Sequence, residues 1–201
     1  MATTEPLPNA FGPSALVTPA NAITILRLLL APVAFGLIVD RPVSWVTWAV
    51  WAILACSDGL DGYLARKHGT TRSGAFLDPL ADKVLVLGGM VALVSIGRFS
   101  WFPVALIAVR EIAISLYRSY WGRRGIAIPA SPLAKAKTFA QSLAVGFAVW
   151  PPTAENIDWS ADVMLWISVA LALISAAQYL AAGQRAVTGA SPAGPAGPLI
   201  P

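Results

Sequence analysis

Long apolar segments separated by short polar connections dominate the chain between residues 21 and 182. We count six of them, at residues 21–39, 43–66, 75–97, 101–121, 133–150 and 163–182. A helix needs about 20 apolar residues to cross a bilayer, and each segment approaches that length. The pattern therefore predicts an all-α integral membrane protein with six transmembrane helices.

Charged residues interrupt several of these segments and shorten their uncharged parts below the length that a bilayer requires. Asp78 and Asp82 lie in the third segment, Arg110 lies in the fourth, and Lys135 and Lys137 lie near the start of the fifth. A charge inside a bilayer is costly and usually marks a functional site. We therefore expect the charged ends of these helices to be buried within the protein and to carry its chemistry.

Basic residues are concentrated in alternate connections, which indicates how the chain is oriented in the membrane. The connections after the second and fourth segments and the end of the sixth carry Lys67, Arg72, Arg123, Arg124 and Arg185. The connection after the fifth segment is acidic instead. Because cytoplasmic loops are enriched in Lys and Arg, we place these connections on the cytoplasmic side of the membrane. We predict a multi-pass protein of the cell membrane. Both termini and the charged helix ends, with the active site, would face the cytoplasm.

Composition agrees with this assignment, since 57% of the 201 residues are hydrophobic, 12% are charged and the mean hydropathy is +0.68. A soluble domain of this length is far more polar. We predict one membrane domain at 19–184, between a flexible tail at 1–18 and a disordered Gly/Pro/Ala-rich tail at 185–201. The net charge of +4 favours cytoplasmic loops and lipid phosphates over nucleic acid as its explanation.

Four aspartates lie close together in the sequence of this apolar chain: Asp58, Asp61, Asp78 and Asp82. The members of each pair are three or four residues apart, which places them on one face of a helix. Four neighbouring carboxylates repel one another unless cations lie between them. Ligand sets made only of oxygen suit Mg²⁺ or Mn²⁺. The sequence therefore predicts a site for two divalent cations that acts on a phosphate ester.

The sequence around these aspartates resembles the signature of the CDP-alcohol phosphotransferase family. It reads DGLDGYLAR at 58–66 and GAFLDPLAD at 74–82, with a connection one residue shorter than is usual for that family. The stretch NAITILR at 21–27 is similar to the motif with which the family's domain opens. The resemblance implies that an alcohol hydroxyl attacks the β-phosphorus of a CDP-linked lipid, so that a phosphodiester and CMP are formed.

The same resemblance implies roles for individual residues. The four aspartates would be the metal ligands, and Asp82 would also be the catalytic base. The nucleotide and its diphosphate would be bound by Thr24, Gly62, Ala65, Arg66 and Gly74. Members of the family are commonly dimeric, which makes a homodimer an expectation by analogy.

Two further stretches, RE at 110–111 and PASPLAKAKT at 129–138, resemble the members that use CDP-diacylglycerol and glycerol 3-phosphate. The phosphate of such an acceptor needs cations of its own. We expect four basic residues to form an acceptor-phosphate pocket beside the metals: Arg110, Arg118, Lys135 and Lys137. Glu111 is expected to pair with an arginine and not to act in catalysis.

Other functions are compatible with parts of this pattern. Members of the same family use phosphatidylglycerol or inositol phosphate as the acceptor, and a basic pocket favours a phosphorylated acceptor without identifying it. A divalent-cation transporter would also use clustered aspartates, but it would need them near the middle of the membrane. Intramembrane prenyltransferases need aspartate clusters that lie far apart in a longer chain.

Overall fold

The computed structural model describes residues 18–68, 72–124 and 132–189, apart from the side chains of residues 19–20, 58–68, 72–79, 132, 134 and 186–189. All regular structure in these ranges is helical, which confirms the predicted all-α class. The helices are α1 (Pro19–Asp40), α2 (Trp45–His68), α3 (Arg72–Ser95), α4 (Trp101–Arg123), α5 (Pro132–Val149), α6 (Pro151–Asn156) and α7 (Trp159–Gly189). The predicted tails fall mostly on residues 1–17 and 190–201, which lie outside the described ranges.

Local sequence explains where two of these helices begin and end. The hydroxyl of Thr18 caps α1 by accepting a hydrogen bond from the backbone N–H of Asn21 at 3.1 Å, and Pro19 follows at the first helical position. Beyond the end of α3, Gly97 adopts a φ of +72°, a conformation that favours glycine. Its backbone N–H donates to the carbonyl of Val94 at 3.0 Å, which closes the turn towards α4.

The short helix α6 is an element that the hydrophobic pattern did not predict. It has six residues, far fewer than a membrane crossing requires, and it connects α5 to α7. The hydroxyl of Thr153 fixes this corner by donating to the carbonyls of Phe147 at 2.7 Å and Trp150 at 3.0 Å. The paired prolines at 151–152 were the available signal, because proline is favoured in the first turn of a helix.

Small residues allow the helices to approach one another closely. The most extensive helix contacts are those of α5 with α7 and of α1 with α3. Gly88 on α3 packs against the ring of Phe35 on α1, and Gly89 packs against the ring of Trp51 on α2. The indole N–H of Trp51 also donates to the carbonyl of Ser142 at 3.1 Å, which ties α2 to α5. Close packing of this kind is typical of membrane helices.

Substituting Gly89 tests this packing. A Cβ atom at that position would lie 2.6 Å from Cζ3 of Trp51, so Gly89→Ala forces the large indole to move. Overpacking of this kind costs about 1–3 kcal/mol, and we expect a lower unfolding temperature in detergent micelles. Gly36→Ala is the matched control, because nothing lies within 4 Å of its added Cβ. Equal unfolding temperatures for both variants would contradict the packing argument.

The outer surface of the protein is apolar, whereas several polar side chains are buried. Leu29 on α1 is 69% exposed and Val109 on α4 is 66% exposed, while Arg27 on α1 is only 1% exposed. Among the described residues, the segments Asn21–Asp40 and Trp159–Arg185 are long and apolar enough to cross a membrane. These features are those of a membrane protein. The number of spans and the side on which the termini lie stay predictions.

Candidate active site

A cavity of about 390 Å³ opens between α3, α4, α5 and α7. It is lined by four basic and two acidic side chains, which leave a net charge of +2: Lys83, Arg110, Arg118, Lys137, Asp82 and Glu111. Uncharged lining residues include Ser115, Thr138, Gln141 and Tyr179. A concentration of charge inside an otherwise apolar helical protein marks this cavity as the candidate active site.

An ion cluster of Arg110, Glu111 and Lys137 forms one wall of the cavity. Arg110 Nη1 donates to Glu111 Oε1 at 3.0 Å, and the ammonium of Lys137 donates to the same oxygen. The three side chains are at most 7% exposed. Buried charges are stable only when they are paired, so Glu111 holds both cations in place. The cluster keeps one positive charge in excess, which is available to attract an anion.

Helix α7 accepts two further hydrogen bonds from Arg110. Its Nε donates to the carbonyl of Ala172 at 3.0 Å, and its Nη2 donates to Ser175 Oγ at 2.6 Å. The guanidinium of Arg110 therefore donates two hydrogen bonds to α7 and one to Glu111. Arg110 is consequently held rigidly, and Glu111 pairs with an arginine, as expected from the sequence.

Lys83 reaches the cavity from α3, immediately after Asp82. Its ammonium donates to Ser115 Oγ on α4, and that hydroxyl donates in turn to the carbonyl of Glu111 at 2.6 Å. Sequence reasoning did not single out Lys83, although a lysine within an apolar run was a visible signal. The contact joins α3, which carries Asp82, to α4, which carries Arg110 and Glu111 of the ion cluster.

The cavity brings together most of the predicted acceptor-phosphate residues. Arg110, Arg118 and Lys137 line it together with Asp82. Lys135 is exposed and is not among the lining residues, although it lies only two positions before Lys137 on α5. The placement of three of these cations beside Asp82 is compatible with a phosphate pocket, and that role stays a prediction for all four.

Helix α1 is anchored immediately before the first aspartate. Arg27 Nε donates to Ser57 Oγ at 3.0 Å, and Ser57 directly precedes Asp58 on α2. Thr24, a predicted nucleotide-binding residue, is fully buried about one helical turn before Arg27.

The other predicted ligands lie on the same helices, but their side chains are outside the described residues. These are Asp58, Asp61, Asp78, Gly62, Ala65, Arg66 and Gly74. The backbone of α2 carries the first pair of aspartates within one turn, and α3 carries Asp78 one turn before Asp82. Among the side chains that are described, no group of three or more His, Cys, Asp or Glu residues is close enough to hold a metal ion.

Removing the carboxylate of Glu111 tests the ion cluster. In Glu111→Gln the charges of Arg110 and Lys137 stay buried without their anion, which costs about 3 kcal/mol of unfolding free energy. We expect a clear drop in the thermal unfolding temperature in detergent. Glu155→Gln, at an exposed position on α6, is the matched control and should unfold like the original protein. A Glu111→Gln protein as stable as this control would show that the cluster does not support the fold.

An apolar exterior around a charged cavity defines a helical membrane protein that accommodates a charged ligand. The sequence matches the CDP-alcohol phosphatidyltransferase family over residues 17–174, most of the chain. The protein belongs to this family and is a transferase. The family is one that generally uses divalent cations.

Individual relatives are similar over nearly their whole length. A Mycobacterium tuberculosis protein named probable phosphatidylglycerophosphate synthase is 34% identical over 180 residues, which cover 85% of this chain and 83% of the relative. The Escherichia coli protein named CDP-diacylglycerol–glycerol-3-phosphate 3-phosphatidyltransferase is 36% identical over 171 residues, which cover 81% of this chain and 92% of the relative.

Proposed function

We propose that the protein transfers the phosphatidyl group of CDP-diacylglycerol to glycerol 3-phosphate and forms phosphatidylglycerophosphate and CMP. The observation that carries this proposal is the similarity to the Escherichia coli relative across 92% of that protein, whose name states this reaction. The reaction belongs to phospholipid biosynthesis, and both of its lipid species stay in the bilayer.

The charge of the cavity supports a phosphorylated acceptor. Its lining side chains carry a net charge of +2, which complements the phosphate dianion of glycerol 3-phosphate. Arg110 and Lys137 are held by Glu111, so they bind the phosphate without first being ordered. Arg118 adds a third cation, and Lys135 on the exposed side of α5 attracts the anion towards the site.

Asp82 is the general base in this proposal. It lies in the same cavity as these cations, within reach of an acceptor whose phosphate they hold. Its carboxylate accepts the proton of the attacking hydroxyl, whose oxygen forms a bond with the β-phosphorus. The bond between that phosphorus and the bridging oxygen of the diphosphate breaks, and CMP leaves with the electron pair.

The donor set on α2 and α3 fits divalent cations. Each helix carries two aspartates within one turn, and carboxylate oxygens are the ligands that Mg²⁺ and Mn²⁺ prefer. Asp58, Asp61, Asp78 and Asp82 would hold two such ions. When bound, the ions neutralise the diphosphate and stabilise the charge on the leaving phosphate.

The remaining predicted residues complete the site. Thr24, Gly62, Ala65, Arg66 and Gly74 would bind the cytidine nucleotide and its diphosphate. We further propose six membrane spans, with both termini and the active site facing the cytoplasm, where the water-soluble acceptor and CMP are found. A homodimer is expected by analogy with the family.

An acceptor panel tests the proposed function. Purified protein in detergent is given CDP-diacylglycerol, Mg²⁺ and one of glycerol 3-phosphate, phosphatidylglycerol or inositol phosphate, and CMP release is followed. We expect release with glycerol 3-phosphate and none above background with the other two. Release with phosphatidylglycerol alone would change the acceptor, and no release with any acceptor would contradict the transferase assignment for this cavity.

A further inference from the structure

Gln141 presents a buried amide that lacks a hydrogen-bond partner. The residue is 3% exposed, and its Nε2 atom has no partner among the described residues. In the part of the chain that the structure describes, the other two buried side-chain atoms in this state belong to Trp150 and Ser160, neither of which lines the cavity. A buried polar group without a partner is costly and rare, so this one calls for an explanation.

The position of Gln141 connects this amide to the candidate active site. It lies four residues after Lys137 on α5, on the same helix face, and both residues line the cavity. Three cations of the cavity already have protein partners: Arg110 bonds Glu111 and α7, Lys137 bonds Glu111, and Lys83 bonds Ser115. Gln141 Nε2 is therefore a neutral buried donor at this cavity whose hydrogen-bonding capacity the described residues leave unused.

The polar groups of the proposed acceptor match the polar groups that line the cavity. Glycerol 3-phosphate has three polar parts, namely a phosphate, the hydroxyl that attacks and a second hydroxyl that does not react. The phosphate suits Arg110, Arg118 and Lys137, and the attacking hydroxyl suits Asp82. The second hydroxyl has an oxygen that can accept a hydrogen bond from a neutral amide, and no charged partner is required for it.

We propose that Gln141 is a specificity-determining residue that donates a hydrogen bond to the non-reacting hydroxyl of the acceptor. This inference rests on the proposed function and adds a residue that distinguishes a glycerol phosphate from a phosphorylated alcohol without that hydroxyl. A site built to bond a substrate hydroxyl rejects an analogue that lacks it, because its own polar group stays unpaired.

The test compares glycerol 3-phosphate with 3-hydroxypropyl phosphate, which lacks only the second hydroxyl. We expect kcat/KM of the unaltered protein to favour glycerol 3-phosphate by about tenfold or more. In Gln141→Met, which keeps the length of the side chain and removes the donor, this preference should shrink to less than about threefold. The loss should fall on glycerol 3-phosphate, with 3-hydroxypropyl phosphate nearly unaffected.

Gln178→Met is the matched control, since Gln178 is exposed on α7 and does not line the cavity. It should keep the original preference. Equal use of both acceptors by the unaltered protein would overturn the inference without any variant. An equal loss on both acceptors in Gln141→Met, or an unchanged preference, would also overturn it. Failure of the proposed function is distinct, because the unaltered protein would then release no CMP with glycerol 3-phosphate.

Discussion

Asp82→Asn is expected to lower kcat for CMP release by at least about a thousandfold. The amide has the same size as the carboxylate, but it cannot accept the proton of the attacking hydroxyl and is a weaker ligand for a cation. Asp82 lines the cavity together with Arg110 and Lys137, and it is half-buried. Loss of proton transfer alone accounts for about 10²–10⁴ in rate, and weaker cation binding adds to it.

A matched control for this substitution is Asp40→Asn. Asp40 is exposed at the end of α1 and does not line the cavity. This variant should keep its activity, which shows that loss of one negative charge is not itself harmful. Unfolding temperatures of both variants establish that the fold is kept. If Asp82→Asn retained more than about a tenth of the original kcat, Asp82 would not be the base.

Removal of divalent cations is expected to abolish CMP release, to below about 1% of the original rate. In the proposed site the four aspartates of α2 and α3 would supply an oxygen-only donor set, and without cations their charges would repel the diphosphate. The experiment treats purified protein with a chelator and then adds back single metal ions. Mg²⁺ or Mn²⁺ should restore activity, whereas Na⁺ at equal ionic strength should not.

Two controls make the metal experiment specific. Ca²⁺ prefers longer ligand distances and more ligands than Mg²⁺, so it should restore little activity although its charge is equal. An Asp61→Asn variant should need a higher Mg²⁺ concentration for half-maximal rate, because one ligand is weakened. Full activity after exhaustive chelation would contradict the two-metal proposal and would leave Asp82 as a base only.

The helices could be predicted from the sequence because each is a long apolar segment with a local boundary. The first five predicted segments correspond one to one to the helices α1 to α5. The sixth falls within α7, which continues to Gly189. The short helix α6 was missed because six residues carry no periodicity of their own. Its two prolines favour a helix start, and the hydroxyl of Thr153 fixes the corner between α5 and α6 by bonding the carbonyl of Phe147.

The ion cluster was only partly predictable. Pairing of Glu111 with an arginine was expected from the sequence, and the structure contains it. The second partner of Glu111, Lys137, lies 26 positions away, and the partners of Arg110 on α7 lie more than 60 positions away. Such contacts depend on how α4, α5 and α7 pack, which the pattern of one segment does not contain.

The same limit explains Lys83 and Gln141. Each is a polar residue in a largely apolar segment, and only the packing of four helices shows that it lines the cavity. Lys83 contacts Ser115 on α4, and Gln141 meets the cavity from α5. By contrast, Asp58, Asp61 and Asp78 were conspicuous in the sequence because their spacing alone suggested a shared function. Their metal-binding role stays a prediction.

The most direct test of the proposed reaction is its stoichiometry. Purified protein with Mg²⁺, CDP-diacylglycerol and labelled glycerol 3-phosphate is followed until the reaction ends, and CMP is compared with label extracted into the lipid phase. Transfer to the acceptor predicts equal amounts of both, with the label in phosphatidylglycerophosphate. CMP formed without labelled lipid would contradict the account, because the protein would then hydrolyse the CDP-linked lipid instead of transferring its phosphatidyl group.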